Sequence, residues 1–246
     1  MKLTGDQQVQ AEVLEGLATA VNHRTWFVEL AEPYLGEDAI EIGSGLGDYA
    51  TAWASSGRRL TATEAESDRL VDLKERLAGH GNIDVLSMHL PIDAEYAGRT
   101  DYSAAVSYNV LEHIEEDVEA LDSMRRLVRP GGAVVIIVPA FMFALGPADI
   151  ATGHVRRYTK KTLRAAMERA GLEVETMRYA NALGLICYYL ATCVFKMMPK
   201  EGPMVRIYDT LVLPVTKALE SMVRPPFGQS VFAVARRPSG DAVTAG

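Results

Sequence analysis

Short apolar runs alternate with longer amphipathic segments between residues 35 and 138, and this alternation constrains the fold more than any other feature of the chain. The runs are rich in valine and isoleucine, as strands buried in a parallel sheet are. They cover residues 39–43, 59–64, 82–87, 102–109 and 133–139. Strands separated by crossover helices predict a doubly wound α/β domain.

Two further patterns predict where helices end. Apolar residues from Leu111 to Val128 recur at three-to-four spacing, and Pro130-Gly131-Gly132 is expected to stop that helix before the fifth run. Later in the chain, Thr159 is a good N-cap, and Gly171 stands at the expected C′ position of the helix that follows. Residues 172–180 and 227–237 then have the composition and alternation of strands.

The most hydrophobic stretch covers residues 182–198. Its 17 residues reach only the lower limit for spanning a bilayer. Its glycine, its threonine and its paired tyrosines favour a buried or substrate-lining helix over membrane insertion. A peripheral membrane anchor is the alternative interpretation of this stretch.

Charge and cysteine content exclude several classes of protein. The 246 residues include 25 Lys+Arg and 32 Asp+Glu, a formal net charge of −7, which argues against a protein that mainly grips nucleic-acid phosphates. Only Cys187 and Cys193 are present, so we expect neither a disulfide framework nor a zinc-ligand cluster, and no metal site is predicted. The first residues lack the layout of a signal peptide, and a cytoplasmic location is the resulting expectation.

A glycine-rich turn, EIGSGLGDY, directly follows the first predicted strand at residues 41–49. Its glycines allow a tight turn and a close approach of the backbone to a ligand. The spacing is G-x-G-x-G rather than the G-x-G-x-x-G of the dinucleotide fingerprint. Glu41 precedes Gly43 by two residues, and a carboxylate there would repel a pyrophosphate but attract an amino group or a sulfonium. The turn therefore predicts a cationic ligand.

A second acid ends the second predicted strand. Glu64 lies 21 residues after Gly43, where an acid in nucleotide-binding α/β folds accepts the hydroxyls of a ribose. Glu66 is the rival for this role, and a solvated position at a helix start is its simpler interpretation.

Four segments together resemble one family. AIEIGSGLGDY, TATEAE, SYNVLEHIEED and LVRPGGAVVIIVP occur in the order and spacing of the class I S-adenosylmethionine-dependent methyltransferases of the broad bacterial small-molecule group. The resemblance covers about residues 20 to 180. It implies a seven-stranded, mostly parallel sheet whose last strand is antiparallel, with S-adenosylmethionine as cofactor and S-adenosylhomocysteine as product.

The resemblance also implies the cofactor-binding residues. The glycine turn would pass beneath the methionine part and the ribose, with Glu41 near the amino group and Glu64 on the ribose. The segment after the third strand would flank the adenine, although His89 or Met88 stands where many relatives carry an aspartate. The expected cofactor-binding set is Glu41, Gly43, Ser44, Gly45, Gly47, Glu64, Ala65, Met88, His89, Leu90, Asn109 and Val110.

Candidates for catalysis come from two places on the acceptor side. His113 follows the fourth strand, and His154 belongs to a dense cluster with Arg156, Arg157 and Tyr158. That cluster is either a solvated turn with Tyr158 packed inward, or an acceptor clamp with His154 as base and an arginine pairing with an anionic group. The candidate catalytic residues are His154, His113, Tyr158 and Arg157.

The predicted organisation is a single domain over residues 1–238 with a disordered tail at 239–246. Within it we expect a helical lid (1–35), a cofactor-binding core (36–140) and an acceptor-side region with the closing strands (141–238). The predicted function is methyl transfer to a small, partly apolar acceptor, such as a natural product, a quinone-like compound or a sugar-linked compound. Alternatives are a catalytically silent cofactor-binding protein, a peripheral membrane protein and, disfavoured by the glycine spacing, a nicotinamide-dependent oxidoreductase.

Overall fold

Seven strands form one sheet in the computed structural model, which describes residues 19–93, 95–96, 98–196 and 203–240. The strands are β1 (Asp38–Ile42), β2 (Arg59–Glu64), β3 (Ile83–Ser87), β4 (Tyr102–Tyr108), β5 (Val128–Pro139), β6 (Glu173–Ala180) and β7 (Ser230–Arg236). Their order is β3-β2-β1-β4-β5-β7-β6, and only β7 runs antiparallel to its neighbours. The predicted doubly wound α/β fold with an antiparallel last strand is confirmed.

Helices connect the strands and cover the sheet. They are α1 (Val21–Ala31), α2 (Asp48–Ala54), α3 (Ser67–Leu77), α4 (Asp117–Leu127), α5 (Pro147–Thr152), α6 (Lys160–Arg169), α7 (Ala182–Tyr188), α8 (Pro203–Ile207) and α9 (Leu213–Met222). A π-helical segment, Tyr189–Val194, continues α7, and another, Tyr208–Val212, joins α8 to α9. Residues 1–18 of the predicted lid (1–35) and residues 241–246 of the predicted tail (239–246) lie outside the described residues.

Two apolar cores separate the sheet from its helices. One lies between the sheet and helices α4 and α6, and includes Leu121 and Met167, which are both fully buried. The other holds α1, α2 and α3, with Trp53 fully buried at its centre. Residues on both faces of β4, and of β5 from Gly132 onward, are buried, as the valine- and isoleucine-rich runs predicted.

The helix before β5 is shorter than its apolar spacing predicts. Residues Leu111–His113 form a separate 3₁₀ turn, and α4 begins only at Asp117. The chain is already in β5 at Val128, and the strand continues through the Pro-Gly-Gly segment that was expected to precede it. Gly131 there has φ +77°, and a Cβ on Gly132 would come within 2.7 Å of the Arg129 carbonyl oxygen. The glycines therefore form an irregular start of the strand, where pairing with β4 shifts register.

The stretch 182–198 was predicted to be a buried or substrate-lining helix, and it is only partly buried, so burial is wrong for its outer face. Leu185 and Thr192 face inward, whereas Ile186, Leu190 and Val194 are about half exposed. Residues 197 and 198 lie outside the described part of the chain. Among the described residues, no helix is long and apolar enough to cross a bilayer.

Candidate active site

A cavity of about 410 Å³ lies where the carboxyl ends of β1, β2 and β4 meet. This is the edge at which open parallel sheets bind ligands. Eleven of the twelve predicted cofactor-binding residues line it, from Glu41 in β1 to Val110 after β4. The exception is Gly47, which precedes α2 in a left-handed conformation with φ +78°. A Cβ on Gly47 would lie 2.9 Å from Leu73 Cδ1, so this glycine serves helix packing.

The glycine turn follows β1 in a conformation that favours glycine. Gly43 and Gly45 have φ values of +72° and +54°. A Cβ on Gly43 would lie only 2.6 Å from Val110 Cγ2, so the missing side chain lets β1 and the segment after β4 approach each other. The turn is also tied to β2, because Ser44 N–H donates to the Thr63 carbonyl at 2.7 Å and Thr63 N–H donates to Ser44 Oγ at 3.1 Å.

Glu64 ends β2 with its carboxylate against the same turn. Its Oε2 accepts a hydrogen bond from Gly45 N–H at 3.2 Å, and its Oε1 accepts from Ala65 N–H at 2.8 Å and from Glu66 N–H at 3.1 Å. The side chain is buried and lines the cavity. Three backbone donors therefore fix an acceptor group where the sequence predicted a contact with ribose hydroxyls.

Glu41 lies 2% exposed in the cavity wall, and its Oε2 has no hydrogen-bond partner in the part of the chain that the structure describes. Burial raises the pKa of Glu41 to about 7, while a hydrogen bond with Ser44 opposes the rise. A buried carboxylate oxygen without a donor is unfavourable unless a ligand satisfies it. An amino group or another cation in the cavity would do so, which fits the methionine end of S-adenosylmethionine.

The remaining predicted cofactor contacts form an adjoining wall. Met88 and Leu90 are buried apolar side chains, and His89 between them is exposed, all three on the cavity. Asn109 has φ +54° and donates its N–H to the Ile137 carbonyl at 2.9 Å, which fixes the chain as it leaves β4. The apolar part of this wall suits the face of an adenine ring.

His113 and His154, two of the predicted catalytic residues, line the same cavity. The Nδ1 of His154 lies 2.7 Å from Asp149 Oδ1, which also accepts hydrogen bonds from Arg157 Nε and Nη2 at 3.0 and 2.8 Å. Burial alone would raise the pKa of Asp149, but the hydrogen bond with His154 and the charge of Arg157 lower it to about 2. A charged Asp149 favours the His154 tautomer that carries its proton on Nδ1, and in that tautomer Nε2 is the acceptor.

Two candidates for direct catalysis have other roles in the structure. Arg157 is 5% exposed, and its Nη1 donates to the Ala140 carbonyl at 3.1 Å while the rest of the guanidinium holds Asp149. It positions Asp149 and also lines the cavity, so its role as a clamp for an anionic acceptor stays a prediction. Tyr158 is buried outside the cavity wall, and its hydroxyl donates to Asp117 Oδ2 at 2.9 Å. The inward-packing interpretation of Tyr158 agrees with this position.

Sequence reasoning missed several residues of the site. Asp149 connects His154, Arg157 and Tyr188, whose hydroxyl donates to Asp149 Oδ2 at 2.8 Å. A short Asp-to-His separation of five residues was the one local signal for it. His23 and Phe27 of α1 also line the cavity, and neither carries a motif.

Comparisons with known proteins agree with this geometry. A profile described as a methyltransferase domain matches residues 40–134. An uncharacterized methyltransferase of Mycobacterium bovis is 23% identical over 167 residues, which is 64% of this chain and 64% of that protein. A demethylmenaquinone methyltransferase of Clavibacter sepedonicus is 26% identical over 171 residues, covering 67% of this chain and 66% of that protein.

The fold recurs in solved structures. A geranyl diphosphate methyltransferase in complex with S-adenosylmethionine matches with a TM-score of 0.62 at 14% identity, covering 95% of this chain and 92% of that one. At that identity the likeness concerns the fold alone. The alignment with the mycobacterial relative spans somewhat less than two thirds of its length, so that comparison reaches the shared domain and not the whole protein.

Proposed function

We propose that this chain, which belongs to the class I S-adenosylmethionine-dependent methyltransferases, transfers a methyl group to a small, partly apolar acceptor. The observation that carries the proposal is the shared cavity: Glu41, the glycine turn and Glu64 lie on one side, and His154 lies on the other. A cofactor held by the first group would face an acceptor held near the second.

The residues present fit the cofactor. Glu41 offers its unpartnered oxygen to the amino group, Glu64 its acceptor oxygens to the ribose, and Met88 with Leu90 an apolar wall to the adenine. Bound there, S-adenosylmethionine supplies a methyl group that its sulfonium already makes electrophilic. The protein's remaining task is therefore to hold the acceptor in line and to accommodate its proton. His154 is the residue we propose for that task, because Asp149 leaves its Nε2 available in the cavity.

The acceptor class is inferred from the cavity walls and from the relatives. Apolar side chains such as Leu90, Ile114 and Phe27 line much of the cavity. One relative is named for demethylmenaquinone, and one fold neighbour for geranyl diphosphate, both partly apolar compounds. These names support a quinone-like acceptor here, which the sequence predicted, and they extend the predicted range to an isoprenoid-linked one.

Turnover tests the proposal directly. The purified protein is incubated with S-adenosylmethionine and a panel of hydroxyquinone, phenolic and isoprenoid acceptors, and S-adenosylhomocysteine is quantified by mass spectrometry. We expect acceptor-dependent product with the wild type and a rate lower by ~10²–10⁴ in His154→Ala with unchanged cofactor affinity. Cofactor binding without product for any acceptor would instead support a catalytically silent binding protein.

A second candidate, a peripheral membrane enzyme with a lipid-borne acceptor, is favoured by the surface beside the cavity. Exposed apolar residues form outward stripes on two neighbouring segments: Ile186, Leu190 and Val194 after the start of α7, and Val215, Leu219 and Met222 on α9. Tyr188 lines the cavity while Tyr189, the next residue, is exposed. The apolar surface therefore borders the acceptor side of the cavity.

Charge on this surface favours an anionic lipid bilayer as its partner. Within the described residues between 182 and 224, the two acids, Asp209 and Glu220, are buried. The exposed charges there are basic, namely Lys196, Arg206 and Arg224, although the whole chain carries a net charge of −7. Apolar helix faces flanked by basic side chains are typical of proteins that lie on anionic membranes.

Vesicle flotation tests the second candidate. We expect the wild type to float with vesicles that contain phosphatidylglycerol, and the double variant Leu190→Glu, Leu219→Glu to remain at the bottom of the gradient. Val71→Glu is the matched control, because Val71 is 55% exposed on α3 and lies outside this surface. Flotation that is absent in the wild type, or unchanged in the double variant, would exclude the lipid-surface candidate.

A further inference from the structure

Glu112 is a buried acid whose carboxylate receives no hydrogen bond from the described residues. It lies in the 3₁₀ turn directly after β4 and is 0% exposed. Neither of its carboxylate oxygens has a hydrogen-bond partner within the described residues. Buried carboxylates are normally paired, hydrogen-bonded or bound to a metal, so this side chain is expected to have a ligand.

Two histidines face the same space. His154 Nε2 lies 3.8 Å from Glu112 Oε1. His113 follows Glu112 in the chain, and its ring meets the His154 ring edge to face, with centroids 4.6 Å apart. One ligand atom from each of the three residues can be chosen so that all lie within 4.8 Å of one another. The three side chains thus form a compact set of one carboxylate and two imidazoles.

Each histidine has one nitrogen occupied and the other available. Asp149 holds His154 by Nδ1, which is the outer contact that metal-binding histidines usually make with a carboxylate. The backbone of Gly153 makes a hydrogen bond with the His113 ring, and the buried Nδ1 of His113 has no partner among the described residues. These outer contacts orient both rings and leave the nitrogen lone pairs for a shared ligand.

We propose that Glu112, His113 and His154 bind one divalent transition-metal ion. Two imidazoles and a carboxylate favour Zn²⁺, Mn²⁺ or Fe²⁺ over Mg²⁺ and Ca²⁺, which prefer oxygen ligands alone. Metal–ligand bonds of ~2.0–2.2 Å bring ligand atoms to about 3–3.5 Å apart, so atoms that lie up to 4.8 Å apart would approach each other by as much as about 1.5 Å on binding. Local spacing does not predict this site, because His154 lies 41 residues after His113 and the chain has no cysteine-based motif.

The position of the ion suggests a role in binding the acceptor, and this role rests on the proposed methyl transfer. His113 and His154 both line the cavity that also holds Glu41 and the glycine turn. Three protein ligands leave coordination positions open toward that cavity. An acceptor that carries a hydroxyl or keto oxygen would bind there, and the ion would orient that oxygen and lower the pKa of a bound hydroxyl. The substrate class is therefore an oxygen-bearing acceptor. With the ion bound, His154 Nε2 would be its ligand, so the ion would stabilise the deprotonated acceptor oxygen in place of proton uptake by a free His154.

Metal titration of the purified full-length protein tests the proposal. After removal of bound metal by a chelator and desalting, ZnCl₂ and MnCl₂ are titrated by calorimetry, and CoCl₂ by visible absorption. We expect one equivalent to bind, with Co²⁺ absorption bands of a nitrogen- and oxygen-ligated site. Glu112→Gln and His113→Gln should each weaken binding at least ~10-fold.

His80→Gln is the matched control, since His80 lies after α3 and outside the cavity wall. It should leave the affinity unchanged, and circular dichroism establishes that each variant is folded. Absence of binding in the wild type, or equal affinity in folded Glu112→Gln and His113→Gln, would overturn the metal site. Titration of the chelator-treated protein with S-adenosylmethionine separates the two proposals, because cofactor binding without metal binding overturns only this one.

Discussion

Glu41 and Glu64 are two buried acids beside one glycine turn, and they differ in the hydrogen bonds that their carboxylates accept. Glu64 accepts three hydrogen bonds from backbone N–H groups, which stabilise its carboxylate. Glu41 Oε2 has no partner in the described structure, and burial raises the pKa of Glu41 to about 7. We infer that Glu64 is preorganised by the protein, whereas Glu41 depends on a cationic ligand for its charge.

The pKa of Glu41 predicts how cofactor affinity depends on pH. Below pH 7 the carboxyl group is protonated and cannot pair with an ammonium group. The affinity for S-adenosylmethionine should therefore rise by up to about tenfold per pH unit toward pH 7 and level off above pH 8. Calorimetry at pH 6, 7 and 8 measures it. In Glu41→Gln the affinity should be lower and independent of pH over this range, and a parallel rise in both proteins would contradict the role of Glu41.

The raised pKa of Glu41 has the opposite effect on the stability of the ligand-free protein, which should fall as the pH rises. Because the pKa of Glu41 is higher in the folded than in the unfolded chain, its contribution is full below about pH 4.5 and is lost as pH rises through 7. Between pH 6 and pH 8 this loss amounts to about 1.4 kcal/mol. Urea unfolding should show the loss in the wild type and its absence in Glu41→Gln. An equal pH dependence in both proteins would mean that Glu41 ionises normally.

Gly45 offers a test of the turn itself. Its φ of +54° and its place in the cavity wall predict that Gly45→Val strains the backbone and fills cofactor space. Cofactor binding should be lost in a protein that remains folded. Gly57→Val is the matched control, since Gly57 has φ +84° with open space around it and lies outside the cavity. Undiminished cofactor affinity in folded Gly45→Val would show that the turn does not contact the cofactor.

Helix α1 reaches the cavity because a distant element caps it. Its N-cap residue, Ala20, has no side chain that can accept a hydrogen bond. Asp209, in the segment between α8 and α9, accepts hydrogen bonds from Asn22 N–H at 3.0 Å and from His23 N–H at 2.9 Å. These are two of the free donors at the helix N-terminus, and an acid is also favourable there. Asp209 thus fixes the end of α1 that contributes His23 to the cavity.

Asp209→Ala should therefore affect both stability and binding. We expect a loss of about 1–2 kcal/mol in the free energy of unfolding, typical of a lost N-cap, and a severalfold rise in the Kd for S-adenosylmethionine. Thr159→Ala is the matched control, because Thr159 caps α6 away from the cavity and should lower stability without changing the Kd. An unchanged Kd in Asp209→Ala would mean that the position of α1 does not matter for the cofactor.

For individual helices and strands, the success of prediction from the sequence depended on local pattern. The strands and the capped helix after Thr159 follow from apolar runs and cap residues, and the structure confirms them. The prediction for the stretch 182–198 was partly wrong, because hydrophobicity indicates average burial. It does not distinguish a core helix from a helix with an apolar outer face. The early start of β5 was missed because Pro-Gly-Gly usually ends an element, whereas here it forms the irregular start of a strand.

For the whole molecule, the sheet order brings residues far apart in the sequence to one edge. The proposed cofactor side comes from turns after consecutive strands, so motifs in the sequence could predict it. The proposed acceptor side joins α1, the turn after β4, the loop around Asp149 and the segment near Tyr188, and no local pattern links them. Asn22 and Asp209, for example, meet across 187 residues. The antiparallel β7 likewise followed from family resemblance and not from periodicity.

The central claim is that this cavity holds S-adenosylmethionine. Calorimetric titration of the purified protein with S-adenosylmethionine, S-adenosylhomocysteine and NADH measures it most directly. We predict micromolar binding of both adenosyl compounds at one site, and no heat with NADH. Binding of NADH alone, or of neither adenosyl compound, would contradict the interpretation of the glycine turn and of Glu41, and with it the proposed function.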